Sequence, residues 1–294
     1  MPELPDLTVY LEHLSARLKG ATLTSIRLNS PFLLRTVTPT VEDLIGREVL
    51  GVRRLAKQLV MVLTGDYFLV IHLMVAGRFR WAEPGAKVPA RGGLAAFDFS
   101  TGTVILTEAS KKKRASLRLV QGESALAELD PGGLEVLDVD LTTFSQRLQA
   151  ANHTLKRALT DQRVFAGIGN AYSDEILLSA GLSPFKLPRS LSEDQLERLY
   201  RACREVLTLW TDRLSAQAGD KFPGKVTAFH PQMAVHGKYR QPCPNCGAPV
   251  QRIVYAENEA NYCAHCQTGG RLLADRSLSR LLKDNWPKRL EDLE

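Results

Sequence analysis

Hydrophobic positions at the start of the chain follow a helical spacing and then change to short runs typical of strands. One face of the first predicted helix carries Leu7, Leu11, Leu14 and Leu18. From residue 22 to about residue 121, β-type runs alternate with turn residues, and no helical crossover separates them. We therefore predict a β-sandwich or barrel with one flanking helix for this half of the chain.

A second change of pattern follows the acidic and glycine-rich break near residue 130. Beyond it, apolar residues recur at helical spacing, and Ser192 with Gln195 predicts a capping box ahead of a long amphipathic helix. The predicted fold class is therefore α+β with several domains. The predicted parts are a β-sandwich domain at 1–130, a linker at 131–145, a helical domain at 146–225, a four-cysteine hairpin at 226–270 and an extension at 271–294.

The composition is that of an ordinary globular protein with an excess of positive charge. The 294 residues are 44% hydrophobic and 24% charged, and no apolar run is long enough to span a membrane. The N-terminus lacks the apolar segment of a signal peptide, so we expect a cytoplasmic protein. The net charge of +6 suits a polyanionic partner, although a basic protein without such a partner is an equal alternative. The densest basic cluster is the run 111–114.

Four of the five cysteines form two close pairs with the spacing of a zinc site. The predicted ligands are Cys243, Cys246, Cys263 and Cys266. Four thiolates leave no open coordination position, so we predict one structural Zn²⁺ that holds the base of a hairpin. The alternatives are an accidental pairing of free thiols, or His265 in place of one cysteine.

A glycine-containing segment lies just ahead of another predicted helix. Gly167, Gly169 and Asn170 precede that helix, whose first N–H groups would form a site for a phosphate. A tight turn that needs glycine for its own dihedral angles is the alternative.

Five features occur in a fixed order along the chain. They are the start Pro2-Glu3-Leu4-Pro5, the turn Arg54-Leu-Ala-Lys57, the strand His72-Leu-Met74, the segment 161–175 and the four-cysteine hairpin. Together they resemble the formamidopyrimidine-DNA glycosylase/endonuclease VIII family along most of the chain. The resemblance implies a β-sandwich catalytic domain with a flanking helix, a helix–two-turn–helix domain and a C-terminal zinc-finger hairpin.

The resemblance also implies a chemistry in which Pro2, Glu3 and Lys57 are catalytic. Removal of Met1 would expose the secondary amine of Pro2, which attacks C1′ of the damaged nucleotide while Glu3 helps to move protons. An α-amino group has a pKa of about 8, so a useful fraction is neutral at working pH. Without the other features, this start would be interpreted as a disordered tip that keeps its methionine.

Contacts with DNA follow from the same resemblance. The residues implied to bind DNA are Met74, Lys113, Arg114, Lys156, Gly169 and Asn170. Met74 matches the residue that fills the gap left by an extruded base, and Lys57 and Asn170 match contacts to phosphates. A core methionine on a strand is the alternative for Met74.

Two segments depart from the family pattern. Family members usually carry an arginine and a phenylalanine on the loop after Met74, whereas residues 108–116 contain no aromatic side chain. In the family these two side chains fill the DNA helix opposite the lesion. Here a lysine of this loop or Arg114 would have to take their place. The hairpin tip at 257–259 carries two glutamates where relatives have a phosphate-binding arginine, which leaves Arg252 or Arg271 to supply the charge.

The expected function is a bifunctional DNA glycosylase/AP lyase of base excision repair that removes oxidised bases and cleaves the strand by β,δ-elimination. Its expected partner is damaged double-stranded DNA, with single-stranded DNA left open, and we expect a monomer located at the nucleoid. A non-catalytic zinc-ribbon protein that binds damaged DNA with the same fold is the alternative. A hydrolase with a Cys or His nucleophile is disfavoured, because Cys203 lies on an apolar helix face. The preferred lesion does not follow from the sequence.

Overall fold

The computed structural model divides into two compact units, residues 1–131 with 210–228 and residues 132–209 with 229–294. The structure describes residues 1–224, 230–255, 258–274, 280–282 and 287–293. The predicted boundary between the helical domain and the zinc finger, at 225 and 226, lies outside the described residues. The chain contributes two separate stretches to each unit.

The first unit is a sandwich of two four-stranded antiparallel sheets with one flanking helix, α1 (Leu4–Leu18). Its strands are β1 (Leu23–Leu28), β2 (Val49–Leu55), β3 (Gln58–Leu63), β4 (Tyr67–His72), β5 (Gly77–Ala82), β6 (Gly93–Phe99), β7 (Gly102–Glu108) and β8 (Ser116–Gln121). One sheet has the order β1-β6-β7-β5 and the other β2-β3-β4-β8. The predicted β-sandwich with a flanking helix is therefore confirmed.

Two apolar clusters explain why β3 and β4 are hydrophobic without interruption. On one face, Leu59 and Met61 of β3 join the leucines of α1 in the main core. On the other face, Val60 and Phe68 are covered by Leu126 of a short helix, α2 (Glu123–Ala127). Full burial of such side chains stabilises the fold by about 1.5–3 kcal/mol each. Both faces of this sheet are therefore packed, which fixes the register of its strands.

The second unit begins with three helices, α3 (Leu141–Ala150), α4 (Leu155–Thr160) and α5 (Asn170–Ser179). The long helix α6 (Glu193–Ala218) follows. At its start the N–H of Gln195 donates to Ser192 Oγ over 3.3 Å, and the N–H of Ser192 donates to Gln195 Oε1 over 3.2 Å. The predicted capping box is therefore present.

The cysteine-containing part of the second unit is a hairpin of β9 (Gln251–Tyr255) and β10 (Asn258–Tyr262), followed by α7 (Ala264–Thr268). The described part of the extension returns to it, because the N–H of Leu272 donates to the Lys288 carbonyl over 2.9 Å. Leu290 packs against the apolar cluster of the hairpin. No helix in the described part of the chain is long and apolar enough to cross a membrane.

Candidate functional site

The N-terminus of the chain is buried among charged groups. Pro2 is buried, and Glu3 exposes only 2% of its surface. Burial lowers the pKa of the Met1 amino group. The charges of Glu3 and Asp6 raise this pKa, and those of Arg78 and Lys57 lower it further. The Met1 amine is therefore less protonated than an ordinary chain terminus.

Asp6 lies directly behind this N-terminus. The N–H of Glu3 donates to Asp6 Oδ2 over 2.8 Å, and Asp6 is 1% exposed. Burial raises the pKa of the Asp6 carboxyl to about 7. Among the side-chain atoms that the structure describes, Asp6 Oδ1 is buried without a hydrogen-bond partner. Asp6 therefore fixes the backbone of Glu3 and keeps a proton close to neutral pH.

Lys57 lies in the two-residue turn between β2 and β3, where Leu55 pairs with Gln58. Ala56, the first residue of the turn, has a φ of +50°, the left-handed backbone that tight hairpin turns need. The Arg54 guanidinium donates to the Ala56 carbonyl over 2.7 Å and braces the turn. The predicted β-turn position of Lys57 is therefore the observed one.

The turn after β4 carries Met74 in a constrained conformation. Met74 has a φ of +52°, and its N–H donates to His72 Nδ1 over 2.9 Å. Because Nδ1 accepts, the imidazole is neutral, and burial with the nearby cations Lys57 and Arg118 lowers the pKa of His72 to about 4. The neighbouring Val75 is the more exposed apolar residue of this turn, with 55% of its surface accessible. The turn therefore presents two apolar side chains, where the sequence predicted one.

A basic loop, residues 109–115, connects β7 to β8. The buried carboxylate of Glu108 accepts the N–H groups of Arg114 and Ala115, and the Lys113 ammonium donates to the Glu108 carbonyl. Lys111 through Arg114 are exposed. The loop is therefore held at its base by a carboxylate while its cationic side chains face solvent.

Strand pairing brings these three connections to one end of the sandwich. Gln58 pairs with His72, and His72 in turn pairs with Ser116. Gly77 pairs with Glu108 in the other sheet. The Lys57 turn, the Met74 turn and the basic loop therefore lie side by side. The charge of the amino terminus is one of the causes that lower the pKa of His72, so the terminus lies near this end of the sandwich.

A cavity of about 280 Å³ opens beside Asp6 within the first unit. Its lining consists of Asp6, Val9, Leu214, Gln217, Ala218, Lys221, Phe222, Pro223 and Gly224. Phe222 is anchored by aromatic contacts, with ring centres 5.8 Å from Tyr10 and 6.5 Å from Trp81. The second stretch of the first unit therefore forms one wall of this cavity.

In the second unit, Lys156, Gly169 and Asn170 meet at the start of α5. Lys156 Nζ donates to the Asn170 carbonyl over 2.6 Å and to Asp174 Oδ1 over 2.5 Å. Asn170 Nδ2 donates to the Glu259 carbonyl of β10 over 2.7 Å. Gly167 has a φ of +82°, so a turn requires glycine there, whereas Gly169 is extended at −133°. Asn170 therefore joins α5 to the hairpin.

Two buried carboxylates of α5 hold the following segment in place. Asp174 Oδ2 accepts from His236 Nδ1 over 2.8 Å, and Asn261 Nδ2 lies 3.4 Å from the same oxygen. Glu175 accepts the N–H groups of Ala234, Val235 and His236 over 2.7–3.0 Å. These partners are 59 to 87 residues apart along the chain, so the sequence pattern could not pair them. The signal in the sequence was an acidic pair, Asp174 and Glu175, next to the apolar run 176–178 of the same helix.

The four paired cysteines come together. Their sulfur atoms all lie within 4.8 Å of one another, with 3.4 Å between Cys246 and Cys263 and 4.0 Å between Cys243 and Cys266. Zn–S bonds of about 2.3 Å in a tetrahedron place sulfurs about 3.8 Å apart. His265 is exposed and lies outside this group. The donor set fits one structural Zn²⁺ bound by four thiolates.

Comparison with known proteins agrees with this arrangement. The formamidopyrimidine-DNA glycosylase N-terminal domain matches residues 1–125, its H2TH domain residues 133–213, and the zinc finger found in FPG and IleRS residues 240–269. The chain is 35% identical to the formamidopyrimidine-DNA glycosylase of Thermus thermophilus over 92% of its own length and 100% of the relative's. The chain belongs to the formamidopyrimidine-DNA glycosylase family.

Solved structures of this glycosylase family share the fold. The crystal structure of the MutM (Fpg) protein from Thermus thermophilus matches with a TM-score of 0.77 and 34% identity, covering 90% of this chain and 98% of that one. The Lactococcus lactis Fpg in complex with abasic-site DNA matches with a TM-score of 0.79 and 26% identity, covering 90% and 99%. The predicted helix–two-turn–helix domain and zinc-finger hairpin are confirmed as those of this glycosylase family.

Among the predicted site residues of this family member, the first unit brings Glu3 and Lys57 close to the N-terminus, with Met74 beside them. Lys113 and Arg114 lie on the adjoining loop. Sequence reasoning missed the Met74 anchor His72 and the buried acid Asp6, because their roles depend on burial and on strand pairing. The hairpin tip predicted at 257–259 lies partly outside the described residues.

Proposed function

We propose that this chain is a DNA glycosylase and AP lyase that excises oxidised bases through the secondary amine of Pro2. The observation that carries the proposal is the burial of Pro2 and Glu3 at the start of the chain, where burial also lowers the pKa of the preceding Met1 amino group. A nucleophilic amine needs such an environment, because only its neutral form attacks carbon.

The chemistry follows from this amine once Met1 has been removed. The neutral nitrogen of Pro2 bonds to C1′ of the damaged nucleotide, and the base leaves with the electrons of the glycosidic bond and takes up a proton. Glu3 delivers and accepts protons during this exchange and opens the sugar ring to give an iminium ion. The iminium acidifies the C2′ proton, and loss of that proton expels the 3′ phosphate by β-elimination. A second elimination expels the 5′ phosphate.

The cavity beside Asp6 supports the placement of an extruded base. Its volume of about 280 Å³ is close to the lower end of ligand pockets, and its wall combines the Asp6 carboxyl with the ring of Phe222. A base must leave the stack before C1′ becomes accessible, and the emptied space needs an apolar filler. Met74 or the more exposed Val75 fills it.

Contacts to the DNA backbone are proposed for six residues. They are Lys57, Lys113, Arg114, Lys156, Gly169 and Asn170. The Lys156 ammonium has three donors, of which Asp174 and the Asn170 carbonyl take two. The third donor, at the start of α5, offers a hydrogen bond to a phosphate. We expect a monomer that acts on damaged duplex DNA at the nucleoid, and the use of single-stranded DNA stays a prediction.

A Glu3→Gln variant tests the proposed division of labour. The carboxylate is needed when the base leaves, whereas Pro2 alone can attack an abasic site that already exists. We therefore expect the variant to lose about 100-fold or more in excision of an oxidised base, yet to keep most strand cleavage at an abasic site. Gel assays on two matched duplexes, one with each lesion, measure both rates. Equal losses on the two duplexes would contradict the assignment, and tight binding without any cleavage by the wild-type protein would favour the non-catalytic alternative.

A further inference from the structure

Two arginine side chains converge on one tyrosine ring in the zinc-binding part of the second unit. The guanidinium carbon of Arg252 lies 4.3 Å from the ring centre of Tyr239, and that of Arg240 lies 5.2 Å from it. Both arginines are exposed, while Tyr239 is half-buried. The ring therefore holds two cationic groups at the surface, each by a cation–π contact.

Arg240 has a strained backbone conformation at a position where glycine would be without strain. Arg240 has a φ of +65°, a left-handed conformation that favours glycine. Its N–H donates to the Val250 carbonyl over 2.9 Å, and the N–H of Val250 donates to the Gln241 carbonyl over 2.9 Å. Glycine would make the same backbone hydrogen bonds without strain. Strained residues of this kind cluster at functional sites.

The charges around Tyr239 are only partly compensated. Arg252 forms one ion pair, with Glu259 at 3.3 Å, and both side chains are partly exposed to solvent. No carboxylate within the described part of the chain forms an ion pair with Arg240. Of the two guanidinium groups, only that of Arg252 is paired with a carboxylate among the described residues. Their remaining N–H groups have the planar geometry that binds phosphate oxygens.

We propose that Tyr239, Arg240 and Arg252 form an additional phosphate-binding site, which takes a phosphodiester group of the DNA backbone. The site lies at the base of the zinc-finger hairpin, because Arg252 pairs with Asn261 rather than with the tip. The sequence left Arg252 and Arg271 as candidates for the charge missing from the hairpin tip. Of these two, Arg252 lies at the same tyrosine ring as a second guanidinium, that of Arg240. The proposal rests on the proposed function, since it takes DNA as the substrate.

An Arg240→Gly variant tests this site without threatening the fold. The change removes the guanidinium and places glycine where the backbone is left-handed, so the melting temperature should stay the same or rise. The affinity for a duplex with a stable abasic-site analogue should fall about three- to ten-fold, and the slope of log K against log salt should decrease by about one. Arg252→Gln should act in the same direction. Glu259→Gln should raise the affinity, because it frees Arg252 and leaves the Glu259 carbonyl on Asn170.

Arg201→Gln is the matched control, since Arg201 is an exposed arginine of α6 paired with Glu197 at 2.7 Å. It should change neither the affinity nor the salt slope. Unchanged slopes for both Arg240→Gly and Arg252→Gln would overturn the proposal. Calorimetric titration with inorganic phosphate distinguishes free phosphate from DNA as the ligand. If phosphate binds the wild type and not Arg240→Gly, while the salt dependence of DNA binding is the same for both, the site takes free phosphate and the assignment to DNA is wrong. Borohydride trapping of the wild type on the same duplex sequence with a natural abasic site reports the lyase chemistry separately.

Discussion

At the scale of single residues, the buried Asp6 and the half-buried His72 near the N-terminus have pKa values shifted in opposite directions from ordinary ones. Burial raises the pKa of Asp6 to about 7, and burial with the nearby cations lowers the pKa of His72 to about 4. Near neutral pH, His72 is therefore neutral and accepts the Met74 N–H, while Asp6 is partly protonated. The sequence could predict Pro2, Glu3 and Lys57 as the catalytic residues. It could not predict the protonation states of Asp6 and His72, because these depend on burial.

The raised pKa of Asp6 predicts a specific dependence of stability on pH. Between about pH 4 and pH 7 the folded chain holds a proton on Asp6 that the unfolded chain releases, so the free energy of unfolding falls as the pH rises through this window. An Asp6→Asn variant does not titrate. The wild type should therefore lose about 2–4 kcal/mol relative to the variant across the window. Urea unfolding at several pH values measures this difference.

Asp43 provides the control for this experiment. It is exposed, and its hydrogen bonds to Thr40 lower the pKa of its carboxyl. Asp43→Asn should therefore show the opposite sign, with the wild type gaining stability relative to the variant as the pH rises through the acid range. A difference for Asp6→Asn that does not change with pH would mean that Asp6 is ionised in the folded protein.

At the scale of elements, the site depends on which connections the strand order brings together. The individual strands could be predicted, because their apolar runs and turn residues are local signals. The order β2-β3-β4-β8 could not, since it places β8 beside β4 although three strands intervene in sequence. The same holds for α5, where Asp174 pairs with His236. These pairings, rather than the motifs themselves, form the site.

The Met74 turn gives a prediction at this scale. A Cβ added at Gly77 would lie 2.2 Å from the Leu73 carbonyl oxygen, which accepts the Gly77 N–H over 2.9 Å. Gly77→Ala should therefore open the turn, cost about 2–4 kcal/mol of stability and weaken DNA binding. Gly51→Ala in β2 is the control, since nothing lies within 4 Å of its added Cβ. It should change stability by no more than about 0.5 kcal/mol, as measured by thermal unfolding. Equal effects of the two substitutions would show that the close approach at Gly77 is unimportant.

At the scale of the whole molecule, the two units differ in their need for metal. The first unit has a large apolar core, and the four clustered cysteines all lie in the second unit. There Cys243 and Cys263 pack with Leu178 of α5 in one apolar cluster. Loss of zinc would therefore disturb the helix that also carries Asn170. The return of residues 210–228 to the first unit could not be predicted, because the apolar pattern of α6 continues across the division.

Removal of zinc should separate folding from DNA binding. We expect one zinc per chain, and Cys263→Ala should release it and lower DNA affinity about ten-fold or more, while the β-sandwich keeps its circular dichroism signal. Cys203→Ala is the control, because Cys203 is fully buried in α6 away from the metal ligands. It should keep both zinc and DNA binding. Much less than one zinc per wild-type chain, or full binding by Cys263→Ala, would contradict the metal assignment.

Reductive trapping shows whether the amine of Pro2 attacks C1′. Sodium borohydride should reduce the iminium to a stable covalent complex with DNA that contains an abasic site, and mass spectrometry should place the link on the peptide that begins at Pro2. Pro2→Gly should lower the trapped yield severely, although its primary amine retains a trace. A trapped complex linked at a lysine such as Lys57, absence of any trapped complex, or an active protein that still carries Met1 would contradict the account.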